Sequence, residues 1–255
     1  MNTLGVVRVE NRDRIEKLYF ELASESRLSI LQELSQHDGK MRETARKLNL
    51  TTTEAFRQLQ RLNDALLVQK KPEGTYAITE FGLLVLQFSS YFELINKHRE
   101  YFATHNVRRL PYQFLNRIGE LSKADFKTNV MENINAAERI AREAEKYMWG
   151  GGMEQPLNIR DALLGGISKG VKYQFLFPKQ FIPKQPPIPG LAQVAEIRSM
   201  EDLPFNVAMS EKEAGISFQL IDGRVDYVSF VGTDSVFVSW VKELFLYYWE
   251  KGIRL

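Results

Sequence analysis

The chain has 255 residues and no cysteine, so disulfides and thiolate metal sites are excluded. Its three histidines, His37, His98 and His105, lie far apart and form no spaced ligand motif. Neither a structural zinc, a metal sensor nor any cofactor is expected. No apolar run approaches the roughly 18 residues of a membrane span. The N-terminal stretch MNTLGVVRVENRDR lacks the apolar core of a signal peptide. The expectation is a cytoplasmic protein with no membrane partner. An excess of charge is missing too, since 34 basic residues stand against 32 acidic ones. There is no internal repeat and no low-complexity tract. An apolar fraction of 44% and a charged fraction of 26% are those of a globular chain with one large or two medium domains.

Against that near-neutral background, residues 40–71 carry eight basic and three acidic side chains, a local net charge of +5. The same stretch has the spacing of two short helices. Met41, Ala45 and Leu48 fall on one face of the first, and Asn49-Leu50 makes the turn. Thr51 opens the second helix, with Glu54 three residues later as a capping box. Ala55, Leu59, Leu62 and Leu66 continue at core spacing, and Ala45 lets the two helices cross closely. The opposite face presents Thr53, Arg57, Gln60, Arg61 and Asp64, with Thr52 at the tip. Thr, Gln and Arg can bond both phosphates and base edges. The plainer reading is an αα-hairpin with a solvated basic face.

The flanks favour a helix-turn-helix. Ile15, Leu18, Tyr19 and Leu22 make one helical stripe, and Leu28, Ile30, Leu31 and Leu34 another, stopped at Gly39. After the second helix, Leu67–Lys71 and Thr75–Ile78 read as strands around a Pro72-Glu73-Gly74 turn. A hairpin in that place is a wing, with Lys70 and Lys71 beside the duplex backbone.

LASESRLSILQEL, MRETARKLNLTTTEAFRQLQRLNDALLV and GTYAITEFG together resemble the ArsR-like winged-helix regulators over roughly residues 13 to 82. The resemblance implies double-stranded DNA as a partner and transcriptional regulation. The Cys and His ligands of the metal-sensing branch are absent, so metal sensing is not implied. Thr79 caps a long helix to about Ala103, whose stripe of Leu84, Phe88, Tyr91, Phe92, Ile95 and Phe102 has two readings, packing within the chain or a homodimer helix. The resemblance favours the dimer, which places two recognition helices about one turn of DNA apart. His98 and His105 are expected to be solvated.

The second half alternates helices and strands, which argues an α/β sandwich. Helices are expected at Tyr112–Leu121, Asn133–Tyr147, Leu157–Ser168 and Phe237–Gly252. Strands are expected at 124–130, 147–149, 171–177, 196–200 and 206–210, and a hairpin of 216–221 with 225–231 turns at Asp222-Gly223-Arg224. Residues 178–189 are a Pro-rich loop. ALLGGISKGVKYQFLFP, DGRVDYVSFVG and WVKELFLYYW resemble the effector domains of archaeal regulators, namely the methanogenesis-regulator (Fil-type) middle domain and the TrmB-like sensor domain. Both are related in fold to phospholipase D. The HxK nucleophile of phospholipase D has no counterpart, since no histidine follows His105.

The expected fold is therefore an N-terminal arm (1–12), an α+β winged helix-turn-helix domain (13–79), a long connecting or dimerisation helix (80–105) and a C-terminal α/β sandwich (106–255). The expected function is a dimeric DNA-binding regulator that senses a small-molecule effector or a partner, with no catalytic or metal residue. Thr53, Arg57 and Arg61 are expected to read bases, with Gln60 on the same face, and Thr51, Thr52, Lys70 and Lys71 to hold the backbone. The strand ends at Trp149, Gly150, Gly151, Lys179 and Arg198 have two readings: a ligand site, where the glycine run offers mobile N–H groups to an anion, or a buried core tryptophan beside a plain tight turn. Two alternatives stand beside this. One is a phosphodiester- or nucleotide-acting enzyme using Asp222, Asp226 and Asp234. The other is a winged helix turned to protein contacts.

Overall fold

The computed structural model of the chain describes residues 9–152, 159–181 and 190–255. It divides into two compact units, Met1–Ser90 and Tyr91–Leu255, so the division falls inside the long helix.

In the first unit, α1 (Val9–Leu22) begins within the expected arm. It is followed by α2 (Glu25–Gln36), β1 (Gly39–Lys40), α3 (Met41–Lys47) and α4 (Thr52–Asp64). Next come β2 (Val68–Lys70) and β3 (Thr75–Ile78). Asn49 adopts a left-handed φ of 54° between α3 and α4. That turn lets the Leu50 N–H reach the Ala45 carbonyl and close the first helix. The core joins Ile30, Leu31 and Leu34 of α2 to Leu59 and Leu62 of α4 and to Leu67, Val68 and Tyr76 of the wing. The sheet order is β1-β3-β2, antiparallel throughout. The edge strand β1 is only two residues long, too short to leave a periodic signal. This arrangement is a winged helix.

The expected continuous helix after Thr79 is instead α5 (Glu80–Lys97) followed by α6 (Arg99–Thr104). Thr79 caps α5 by accepting the Gly82 N–H at 2.9 Å. At His98 the backbone leaves helical values, with φ −112° and ψ 32°. Its ring packs 4.2 Å from that of Phe126. His98 is thus a packed residue and not a solvated one.

The second unit continues with α7 (Tyr112–Leu115), β4 (Asp125–Lys127), α8 (Val130–Glu143) and β5 (Tyr147–Gly151). Then follow α9 (Ile159–Ser168), β6 (Lys172–Pro178), α10 (Leu191–Val194), β7 (Ala195–Met200) and β8 (Phe205–Ser210). The chain closes with β9 (Ala214–Phe218), β10 (Ser229–Gly232), α11 (Ser235–Trp249) and β11 (Ile253–Arg254). One eight-stranded sheet runs β11-β7-β6-β5-β8-β9-β10-β4. Its β5, β6 and β7 are parallel, as helical crossovers require, and its other pairs are antiparallel. Ala141 of α8 and Leu163 of α9 pack with Met148, Tyr173 and Phe175. A second cluster gathers Trp240, Leu244 and Phe245 of α11 with Phe218 and Phe230. Helices therefore pack on a large mixed sheet, a mixed α/β architecture.

Several local expectations need correction. The helix at 112–121 ends at Leu115 and gives way to 3-10 turns over Ile118–Lys123. There a Cβ on Gly119 would lie 1.9 Å from the Tyr91 ring, so the bare backbone is what admits that ring. The 222–224 turn exists, but β9 and β10 end earlier than a tight hairpin would. The Ile221 N–H bonds the Thr104 carbonyl, and Leu220 bridges His105, so the tip is held by another segment. Gly150 and Gly151 are not a mobile turn. They are strand residues paired to Phe175 and Leu176 on one side and to Ala208 and Val207 on the other. Of the Pro-rich loop, residues 182–189 lie outside the described residues, as do 1–8 of the arm.

Candidate nucleic-acid interface

Helix α4 exists because Thr51 caps it. The Thr51 hydroxyl accepts the Glu54 N–H at 3.1 Å. The Glu54 carboxylate does not return to the cap; it accepts from Ser26 of α2 at 3.2 Å. Ala55, Leu59 and Leu62 are buried without exposure, which fixes the rotation of the helix. Thr52, Thr53, Arg57 and Gln60 are consequently exposed together. Phe56 stands among them, 48% exposed, and was not singled out by the sequence pattern, which scores apolar residues only for the core.

Three of the eight basic side chains are neutralised within the unit by acids outside the 40–71 window. Arg61 bonds the Glu21 carboxylate through Nε at 3.0 Å and Nη2 at 2.7 Å, and its guanidinium lies over the Phe20 ring. The hydrogen bond to Glu21 raises its pKa. Lys71 pairs with Asp38 at 2.5 Å, a bond that likewise raises its pKa. Lys47 pairs with Glu33 at 2.5 Å. Arg61 and Lys71 thus each meet an acid of their own unit, with side chains 39% and 38% exposed. The Arg27 guanidinium, also unread from sequence, is buried. It donates to the carbonyls of Phe20 and Glu21 at 2.7 Å each and closes the end of α1. Lys40, Arg42, Arg46, Arg57 and Lys70 stay exposed, without an ion pair among the described residues. Lys70 sits on the wing, its backbone N–H 3.3 Å from Asn63 of α4.

In the second unit the expected ligand residues do not converge. Trp149 stacks on Phe245 at 5.2 Å, within the cluster of α11. Arg198 pairs with Glu196 and lies 4.4 Å over the Trp249 ring. Lys179 pairs with Glu201. Gly150 and Gly151 alone line a cavity of about 110 Å³, which lies between α8 and strands β5, β8, β9 and β10. Small residues on both sides, among them Ala136, Ala137, Ala208 and Gly215, leave it open. Its polar lining comes from Asn133, Asn206, Ser217, Tyr227 and Ser229, and no charged side chain is among the described lining residues. Asn133 donates to the carbonyls of Lys127 and Tyr227, and Ser229 donates back to it. Tyr227 holds a left-handed φ of 61°, a strained conformation for a bulky residue.

The three aspartates of the enzyme alternative each hold structure. Asp234 caps α11 through the Val236 N–H at 2.9 Å. Asp222 pairs with Arg224 within its turn. Asp226 meets Nε2 of His105 at 3.1 Å. His105, expected to be solvated, is 5% exposed and stacked on Tyr101. The described residues contain no group of three or more His, Asp or Glu placed to hold a metal. No helix among them is long and apolar enough to cross a membrane.

No family model and no curated protein matches the chain. Among solved structures it is similar to TrmBL2, an archaeal chromatin protein described as showing a novel mode of DNA binding. That likeness has 15% identity, 89% of this chain, 92% of that one and a TM-score of 0.45. It is also similar to the homodimeric winged helix-turn-helix domain of Mb0332 from Mycobacterium bovis, a possible ArsR-family regulator, with 23% identity, 38% and 92% coverage and a TM-score of 0.32. The phospholipase D family member Nuc from Salmonella typhimurium matches at 12% identity, 47% and 88% coverage and a TM-score of 0.35. Likenesses this distant carry no weight for function, which has to come from the site itself.

Proposed function

We propose that the chain is a DNA-binding transcriptional regulator whose α4 enters the major groove. One observation carries this reading: Thr52, Thr53, Arg57 and Gln60 stand exposed together on one helix, beside a wing that carries the unpaired Lys70. Thr53, Arg57 and Gln60 read base edges, and Thr52 and Lys70 take phosphates. Thr51, whose hydroxyl caps the helix and keeps its O–H to donate, and the ion-paired Arg61 and Lys71 border the same surface. The test compares Arg57→Ala with Lys70→Ala on a duplex from upstream of the gene and on random duplex. Arg57→Ala should lose affinity mainly for the preferred duplex, and Lys70→Ala equally for both. Equal losses on both duplexes for Arg57→Ala would remove it from base readout.

The regulator acts as a homodimer through α5. Phe81, Leu84, Phe88 and Ile95 are exposed large apolar residues, and with Tyr91 they alternate at three- and four-residue steps, the spacing of a coiled-coil seam. The C-terminal unit senses an effector in the cavity beneath α8, an uncharged compact molecule by the chemistry of the lining, and has no catalytic role. Coupling requires the effector to bind two dimer geometries unequally. An effector that leaves DNA affinity unchanged at saturation contradicts this part.

A further inference from the structure

We propose that Phe56 reads the C5-methyl group of a thymine in the major groove. The inference rests on the DNA-binding reading of α4 and goes beyond it by assigning a base.

Phe56 is 48% exposed on a helix whose core face is already complete in Ala55, Leu59 and Leu62. The buried face of the helix therefore does not by itself call for an aromatic ring at this position. Its neighbours do. Thr53, Phe56, Arg57 and Gln60 follow at i, i+3, i+4 and i+7 and so share one side of the helix. Asn63, seven residues after Phe56, accepts the Lys70 N–H, which places this flank toward the wing. On the opposite flank Glu54 and Arg61 are tied to Ser26 and Glu21. The surface left for a ligand is thus polar at Thr53, Arg57 and Gln60 and apolar at one point, Phe56.

The major groove has the complementary pattern. Its base edges offer donors and acceptors everywhere except at the thymine methyl, its one apolar group. A ring pressed on a polar base edge strips water from donors and acceptors without replacing their hydrogen bonds, a cost that is avoided over the methyl. A protein partner is the weaker fit, because a single ring ringed by polar side chains is not an apolar patch.

The test uses the full chain. Selection from a random duplex pool gives its preferred site, and each thymine there is then replaced by deoxyuridine, which removes only the methyl. Wild type should lose roughly fourfold in affinity at one thymine, the worth of one buried methyl. Phe56→Ala should lose a similar factor on the unmodified site and nothing more at that deoxyuridine. Phe56→Leu, which keeps an apolar contact, should retain part of the discrimination. A flat deoxyuridine scan with wild type overturns the inference alone, as does a Phe56→Ala loss that persists unchanged on the deoxyuridine duplex. Absence of binding to any duplex overturns this inference together with the reading it rests on.

Discussion

The Arg61 guanidinium grips the Glu21 carboxylate through two bonds, Nε to Oε2 at 3.0 Å and Nη2 to Oε1 at 2.7 Å. The pair ties α4 to α1 across forty residues of sequence and withdraws one of two arginines from the outward face of α4. Arg57, one helical turn earlier, is left to face solvent. The two arginines should therefore part company on mutation. Arg57→Ala is expected to leave folding intact and to weaken specific DNA binding by about 1–3 kcal/mol. Arg61→Ala is expected to speed amide exchange in α1 and to lower affinity for all duplexes alike. Hydrogen exchange and anisotropy titrations separate the two outcomes.

The two ends of α4 predict stability changes of opposite sign. Thr51→Ala removes the cap and should cost about 1 kcal/mol. Leu66, just past the helix, is 70% exposed and held at a left-handed φ of 61°. Its N–H bonds the Asn63 carbonyl, and the Leu67 N–H bonds that of Leu62. Leu66→Gly should therefore stabilise the unit by about 1 kcal/mol, relieving that conformation. The three tryptophans all lie in the second unit, at positions 149, 240 and 249. Unfolding of the winged helix should thus shift in helical circular dichroism while tryptophan fluorescence stays put.

Placing a charge on the α5 seam tests the dimer. Phe88 is 59% exposed. Phe88→Glu should convert the dimer to monomer in light scattering and shorten the DNA footprint to a half-site. A full-length footprint from this variant would move the dimer contact elsewhere.

Acid should loosen the second unit through two carboxylates. The Arg117 hydrogen bond holds Glu243 below its ordinary 4.5. Burial pushes Glu211 upward, but the backbone N–H groups of Glu145, Tyr147 and Lys146 outweigh it, and its pKa is lowered as well. A folded-state pKa below the unfolded one means that the stabilisation is complete above about pH 4.5 and is lost as pH falls through the folded value. Tryptophan-detected urea midpoints should fall over that acid window and stay level above it. Glu211→Ala removes the acceptor of three backbone N–H groups, two of them in exposed bonds that water can take over, and should cost about 1 kcal/mol at neutral pH.

Local chemistry made much of this fold legible. Thr51, Asn49, Thr79 and Gly74 mark the caps and turns of the winged helix, and each sits in its expected role. Most strands of the second unit were readable from apolar runs, but the two-residue β11 was not. What sequence hid is long-range. Glu21, Glu33 and Asp38 lie outside the basic stretch and neutralise Arg61, Lys47 and Lys71 only after folding. The two-residue β1 is too short for a period. At the break between α5 and α6, the His98 ring packs on Phe126, a partner far along the chain. The strand ends named as a ligand site, Trp149 and Arg198, turned out to be side chains stacked on rings of α11. The cavity arises from small residues of α8 and three other strands, whose convergence no single segment displays. Phe56 was visible all along, but periodicity reads an apolar residue as core.

Binding of the purified protein to its upstream DNA and to random duplex, each at two salt concentrations, tests the central claim most directly. The account predicts preference for the upstream DNA, with affinity that falls as salt rises, because exposed cations displace counterions while α4 reads bases. Salt-sensitive binding with no preference for any sequence, or no binding to either duplex, contradicts it.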